Sequence, residues 1–420
     1  MGAERVLLVG VRRRGETRAD VDDRMEEMAA LADSAGARVV DQVVQSLPVP
    51  DGRTYVGSGL LEELKALCAH LDVDALVFDA ELTPSQTRNI EAAVERPAID
   101  RSRLILDIFA QRARSREGKL QVELAQLTYL LPRLSGLGVS LSRLGGGIGT
   151  RGPGETRLEV DRRRIRRRIG ELRRQISDLR KQRDVQRRGR TRQGLPLVAL
   201  VGYTNAGKST LLNSLAQADV EVADQLFATL DPTVRLAVLD GGYRILLADT
   251  VGFIRDLPPA LMSAFAATLE ELQYADLLLH VVDASHPRAD GHREDVERIL
   301  RQLGLGLKPR LLVWNKVDRL GGLPGAATGG VRVSALTGQG LDQLREAIRK
   351  ALFEEVAVQV RLTYDQGKWL NHVYSVGVVH LQEHGPEGYW IHARMPRHEA
   401  QRLAQVASVQ AVESAERAGT

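Results

Sequence analysis

Cysteine is almost absent: Cys68 stands alone among 420 residues. One thiol cannot build a disulfide framework, and the chain therefore suits a reducing compartment. Cys68 falls within Leu60–Leu71, a stretch with helical apolar spacing, where a free thiol serves as core filling rather than as a nucleophile. Aromatic residues are also scarce, at 4%, so the cores must be built from aliphatic side chains. No apolar run approaches the roughly 20 residues of a membrane span. The opening run Arg5–Val11 is short, and Arg12, Arg13 and Arg14 follow it where a signal peptide would place small residues. A cytoplasmic protein without stable membrane insertion is expected, with peripheral membrane association left open.

Apolar content of 43% and charged content of 27% describe a globular chain. Its length allows about three domains, each with its own core. The net charge is only +4, but it is unevenly placed. Residues 151–192 hold 17 Lys/Arg against 6 Asp/Glu, a local balance of +11 that leaves −7 for the rest.

Residues 1–103 alternate short apolar runs with helical patterns. Strands are expected at Val6–Val11, Arg38–Val44 and Ala75–Asp79. Helices are expected at Ala19–Ser34, Leu60–Leu71 and Thr83–Glu95, the last opened by a Thr–Pro start. This alternation predicts a small α/β domain. The polar turn Pro48–Gly59 reads either as a ligand loop or as a plain connection. Residues 104–194 carry two helical seams. Leu120, Leu124, Leu127, Leu131 and Leu134 form the first, with Pro132 expected to kink or end it. Ile165, Ile169, Leu172, Ile176 and Leu179 form the second. Together they predict an antiparallel helical hairpin with a coiled-coil interface. Its tip, Ser135–Thr156, contains eight glycines together with Arg143 and Arg151. Such loops are commonly functional, and arginines beside an open backbone point to an anionic partner. The second helix adds Arg162, Arg163, Arg164, Arg166, Arg167 and Arg168. A solvated face is one reading of that run. Contact with nucleic acid is favoured, because Arg outnumbers Lys 16 to 1 over residues 151–192 and binds phosphate bidentately. Self-association through the hairpin is a further alternative.

Residues 195–356 carry the nucleotide chemistry. Gly202, Tyr203, Thr204, Asn205, Ala206, Gly207, Lys208 and Ser209 form a G-x-x-x-x-G-K-S loop between an apolar strand and a helix. Its backbone N–H groups would cradle phosphates, Lys208 would reach the β- and γ-phosphates, and Ser209 would ligate Mg²⁺. Asp249, Thr250, Val251 and Gly252 follow a strand; the aspartate would reach Mg²⁺ through water, and the glycine N–H would sense the γ-phosphate. Asn315, Lys316, Val317 and Asp318 follow another strand. The Asp318 carboxylate would accept from guanine N1–H and its amine, a pairing adenine cannot make. Ser334, Ala335 and Leu336 would offer N–H groups to the guanine oxygen. Between them, Phe227, Ala228, Thr229, Leu230, Asp231, Pro232 and Thr233 supply two candidate switch threonines, Thr229 and Thr233. Phe253 stands where a water-orienting glutamine is found in the Ras type, which predicts slow intrinsic hydrolysis. Asn205 resembles the asparagine of potassium-activated GTPases, so a K⁺ ion beside the phosphates is an expectation. Residues 357–420 read as a small α+β domain. Trp369 and Trp390 are expected in its core, and the tail from Ser408 is expected to fray.

Beyond the nucleotide motifs, Leu104–Arg133 and Ser142–Arg168, with GYTNAGKST and FATLDPT, resemble the HflX family of translation-factor-related GTPases along almost the whole chain. The resemblance implies an N-terminal α/β domain, the helical hairpin, a P-loop GTPase domain and a small C-terminal domain. It implies hydrolysis of GTP to GDP and binding to the large ribosomal subunit and its RNA, coupled to splitting or rescue of stalled ribosomes under stress. Action in large-subunit assembly is the alternative. By the resemblance Ser209 and Thr229 are the Mg²⁺ ligands, and the catalytic set is Lys208, Thr229 and Gly252. Ala228, Leu230 and Asp231 join the GTP contacts, while Arg143, Arg151, Arg162, Arg163, Arg166 and Arg167 are RNA-binding candidates. A monomer is expected when the chain is free.

Overall fold

A computed structural model describes residues 3–134, 157–191, 195–216, 226–227, 233–255, 271–320 and 329–411. They belong to two compact units. The first comprises Met1–Arg188, Ala223–Asp231 and Asp256–Ala267; the second comprises Gly189–Val222, Pro232–Arg255 and Thr268–Thr420.

In the first unit the apolar runs become the parallel strands β1 (Arg5–Arg12), β2 (Arg38–Ser46), β3 (Ala75–Phe78) and β4 (Ala98–Asp100), in the order β2-β1-β3-β4. Helices α1 (Arg18–Ser34), α2 (Ser58–His70) and α3 (Pro84–Val94) connect them. Thr17 and Thr83 both close capping boxes, so the sequence signals sit at the true helix starts. Cys68 is core, packed among Leu64, Leu76 and Phe78. The Pro48–Gly59 turn folds back onto the domain. Tyr55 at its end is buried and donates to Asp79 at 2.8 Å, while Arg24 bonds both Asp79 and Glu16.

Helix α4 (Arg101–Arg112) crosses the boundary expected at residue 103. Asp100 caps it by accepting from the Arg103 N–H at 2.8 Å, and its apolar face is buried, so strand and helix form one continuous piece. Helix α5 (Arg116–Arg133) ends one residue beyond Pro132. It packs on α6 (Arg157–Thr191) through Leu124, Ile169, Leu172 and Ile176, the expected seam. Arg168 clasps Glu123 with two bonds of 2.7 and 2.9 Å across that seam. Arg133 bonds Asp100 and the Leu82 carbonyl at 2.8 and 2.7 Å, fixing the end of α5 to the α/β domain.

The second unit opens with a six-stranded sheet. Its strands are β5 (Leu197–Gly202), β6 (Thr233–Val238), β7 (Arg244–Asp249), β8 (Leu277–Asp283), β9 (Arg310–Asn315) and β10 (Val331–Arg332), in the order β10-β9-β8-β5-β7-β6. Only β6 runs antiparallel to its neighbour. Helices α7 (Lys208–Ala216) and α9 (Leu341–Phe353) bury Leu211, Leu212, Leu344 and Ile348 on one core with this sheet. Helix α8 (Ala289–Gln302) packs on β8 and β5.

The same unit ends in an antiparallel sheet of β11 (Glu355–Leu362), β12 (Val378–Gly385), β13 (Gly388–Pro396) and β14 (Ser408–Ala411), ordered β12-β13-β11-β14. Helices α10 (Gly367–Val376) and α11 (Arg397–Leu403) pack against it. Two expectations are corrected here. Residues 408–411 do not fray: they pair with β11, and Val409 packs on the domain core. Trp390 is not in that core. It alternates with the buried Ile391 on β13, and the Arg361 guanidinium lies 3.8 Å from its ring centroid. Trp369 does pack against the core.

Candidate guanine-nucleotide site

The site is built at the carboxyl ends of β5, β7 and β9, where an α/β sheet presents its loops. Strand β5 ends at Gly202, and helix α7 begins at Lys208. The intervening loop turns through positive φ at Asn205 (58°) and Gly207 (87°). A Cβ on Gly207 would also lie 2.3 Å from Asn315 Nδ2, so only glycine fits. Lys208 is buried, and its ammonium donates to the Gly202 and Tyr203 carbonyls at 3.2 and 2.8 Å. Burial pushes its pKa down to about 8. A buried ammonium at the N-terminus of a helix is a receptor for phosphate.

Ser209 donates to Asp249 Oδ2 at 2.6 Å. A hydroxyl and a carboxylate converging at a helix N-terminus form the hard oxygen donor set that Mg²⁺ requires, and these residues fit that ion. When bound, Mg²⁺ supplies neutralisation of phosphate charge. Thr250 is wholly buried and donates to the Leu200 carbonyl at 2.5 Å, anchoring the segment after β7 to the sheet. Phe253 then bridges to the phosphate loop: its N–H donates to Gly202 O at 3.0 Å, and its carbonyl accepts from Thr204 N at 2.7 Å. Gly252 is pressed between these partners. A Cβ there would lie 2.7 Å from Thr204 Cα and 3.0 Å from Lys208 Nζ.

At the ends of β9 and β10, Asn315 is buried and works as a staple. Its Nδ2 donates to the Ala206 carbonyl at 2.9 Å, and its Oδ1 accepts from Ala335 N at 3.0 Å. One side chain thus ties the phosphate loop to the loop after β10. Lys316 takes φ +62° and reaches Asp283 Oδ2 at 2.8 Å. Burial works to raise the Asp283 pKa, but hydrogen bonds from Lys316 and Ser285 outweigh it and hold that carboxyl below its ordinary value. Asp318 stands exposed in the turn Val317–Leu320. Ser334 is buried, with its N–H bonded to the Gln339 carbonyl at 2.9 Å, whereas Leu336 is 76% exposed.

Residues 22–110 match the model of the GTP-binding GTPase N-terminal region, 112–190 that of the GTP-binding GTPase middle region, and 197–316 that of the 50S ribosome-binding GTPase. GTPase HflX of Caldanaerobacter subterraneus subsp. tengcongensis is 47% identical over 393 residues, 93% of this chain and 91% of that protein. GTPase HflX of Escherichia coli (strain K12) is 42% identical over 389 residues, 90% of each. The chain belongs to the HflX family of GTPases. It binds guanine nucleotide and hydrolyses GTP to GDP and phosphate.

Within this HflX chain the structure gathers Gly202–Ser209, Asp249–Gly252, Asn315–Asp318 and Ser334–Leu336 on the loops of one sheet. Thr233, the alternative switch threonine, is the first residue of β6 and pairs opposite Asp249. Ala228, Thr229, Leu230 and Asp231 lie outside the described residues, as do Arg143, Arg151 and the rest of the glycine-rich tip. Phe227 is the departure. Its ring is 2% exposed and sits edge-on to Phe109 of α4, within the first unit. That side chain is committed to packing, which leaves only its backbone for nucleotide. Arg163, Arg166 and Arg167 are exposed on α6, and Arg162 is half-buried. The Asp283–Lys316 pair was not foreseen. Neither was the parallel stack of Tyr203 on His292, with centroids 3.9 Å apart, nor the 2.9 Å bond that Tyr203 Oη accepts from Arg255 N. No short motif marks those contacts, because each joins residues far apart in sequence.

Among the described residues no helix is long and apolar enough to cross a membrane.

Proposed function

We propose that this HflX GTPase is a ribosome-dependent switch. It docks on the large ribosomal subunit through the arginine face of its helical arm and couples GTP hydrolysis to splitting or rescue of stalled ribosomes. The observation that carries this reading is the division of labour on α6. Ile165, Ile169, Leu172 and Ile176 face the seam with α5, while Arg163, Arg164, Arg166 and Arg167 are exposed. The seam itself is built from apolar side chains, and Arg164 pairs with Asp161 at 3.7 Å on its own helix. An arginine-rich surface of this kind binds RNA phosphates bidentately and with steep salt dependence. The matched description of a 50S ribosome-binding GTPase supports the same partner.

In the reaction itself, a water oxygen bonds to the γ-phosphorus while the bond to the β–γ bridging oxygen breaks and its electron pair leaves with GDP. Lys208 and the N–H groups of the phosphate loop stabilise charge on the transferred group. Ser209 and Thr229 would hold Mg²⁺, and the Gly252 N–H would register the γ-phosphate. Asn205 would border a K⁺ ion, an expectation that unequal turnover in KCl and NaCl would support. The cytoplasm is the compartment that fits a ribosomal partner.

Light scattering on intact ribosomes tests the reading. Addition of protein and GTP should lower the scattered intensity as subunits part. Constant scattering, with binding confined to immature large particles, would favour the assembly role instead.

A further inference from the structure

We propose that the Thr204 hydroxyl is a catalytic group of GTP hydrolysis, placing the attacking water beside the γ-phosphate where Phe253 offers no polar atom. Phe253 is 3% exposed, and its ring can neither donate to water nor accept from it. A polar group from a neighbour at the phosphate end of the loop can take its place.

Thr204 meets that requirement on three independent observations. Thr204 is 93% buried, yet its Oγ1 has no hydrogen-bond partner among the described residues. A buried hydroxyl left unpaired is destabilising, and such atoms in native proteins commonly mark a functional site. Its position is fixed by its own backbone, whose N–H is bonded to the Phe253 carbonyl at 2.7 Å. Its side chain also converges with Lys208 on one point. A Cβ built on Gly252 would lie 2.9 Å from Thr204 Cγ2 and 3.0 Å from Lys208 Nζ. The Thr204 methyl is the group at that point, beside Lys208 and Gly252, and the orphan hydroxyl is carried by the same Cβ.

The hydroxyl can accept one hydrogen bond from the water and donate one to a γ-phosphate oxygen. The water oxygen then bonds to phosphorus as the bridging bond breaks. The displaced proton leaves with inorganic phosphate, and the threonine is unchanged.

Thr204→Val keeps the shape and deletes the hydroxyl; Thr204→Ser keeps the hydroxyl and deletes the methyl. Single-turnover hydrolysis at saturating GTP, KM, GDP affinity and the nucleotide-free melting temperature are measured for both. The valine variant should lose about 10- to 100-fold in kcat, with KM and GDP affinity nearly unchanged and a melting temperature no lower than that of the parent. The serine variant should hydrolyse close to the parental rate. Parental kcat in the valine variant would overturn the proposal. So would an equal loss in the serine variant, which would assign the effect to methyl packing, or a loss confined to KM.

Discussion

The ring of Phe227 meets that of Phe109 edge to face, with centroids 4.8 Å apart and planes at 86°. Phe227 lies two residues before Thr229, one of the two candidate switch threonines, whereas Phe109 belongs to a helix of the N-terminal α/β domain. The Leu226 N–H beside it donates to Ser34 Oγ, the last residue of α1, at 3.0 Å. Leu226 and Phe227 thus pack within the first unit, on α1 and α4. Phe227→Ala should destabilise the chain by about 3 kcal/mol and leave GDP affinity unchanged. Denaturant melts and fluorescent-nucleotide titrations read the two effects. Lost GDP affinity at unchanged stability would return the Phe227 side chain to the nucleotide.

Asn315 bridges two loops with one amide. Asn315→Ala leaves a buried carbonyl and a buried N–H unpaired, at about 1–3 kcal/mol each. GTP and GDP affinities should fall together, because both nucleotides need the phosphate loop and the base loop in register. A defect confined to GTP would refute the staple.

The Lys208 pKa of about 8 implies a pH limit on binding. Burial disfavours the charged ammonium in the free protein, and bound phosphate restores it. Below about pH 8 the free protein already carries the proton, so GDP affinity should be flat. Above it, binding must take up a proton, and Kd should rise by up to about tenfold per pH unit. Calorimetry in buffers of different ionisation enthalpy measures that uptake directly; none at alkaline pH would place the titration elsewhere.

Asp318 is an exposed carboxylate in the turn Val317–Leu320, where base reading is expected. Asp318→Asn replaces an acceptor pair by one acceptor and one donor, which matches xanthine in place of guanine. Competition between GDP and XDP should shift towards XDP. Unchanged selectivity would remove Asp318 from base recognition.

Short-range signals made the nucleotide module legible. A buried parallel strand must be an apolar run, and Gly202–Ser209, Asp249–Gly252 and Asn315–Asp318 each follow one directly. The capping residues Thr17 and Thr83 likewise announce their helices in the local sequence. Phe227 escaped this logic because its burial is supplied by Phe109, 118 positions earlier. Trp390 looked like core because it is aromatic, yet the two-residue period of β13 gives that core to Ile391, Ala393 and Met395. Residues 408–411 looked frayed because they are small and polar, but Val409 and an open edge of β11 were enough to make a strand. Such outcomes depend on which distant surface is left to cover.

The most direct test of ribosome docking is co-sedimentation with purified large subunits, in GDP and in a non-hydrolysable GTP analogue, across a salt series. The analogue-bound chain should pellet and the GDP-bound chain should not. Binding should weaken steeply with salt and be lost on replacing Arg163, Arg166 and Arg167 with Glu, with ribosome-free turnover intact. Equal pelleting in both nucleotides, or pelleting indifferent to those substitutions, would contradict an arginine-faced arm governed by GTP.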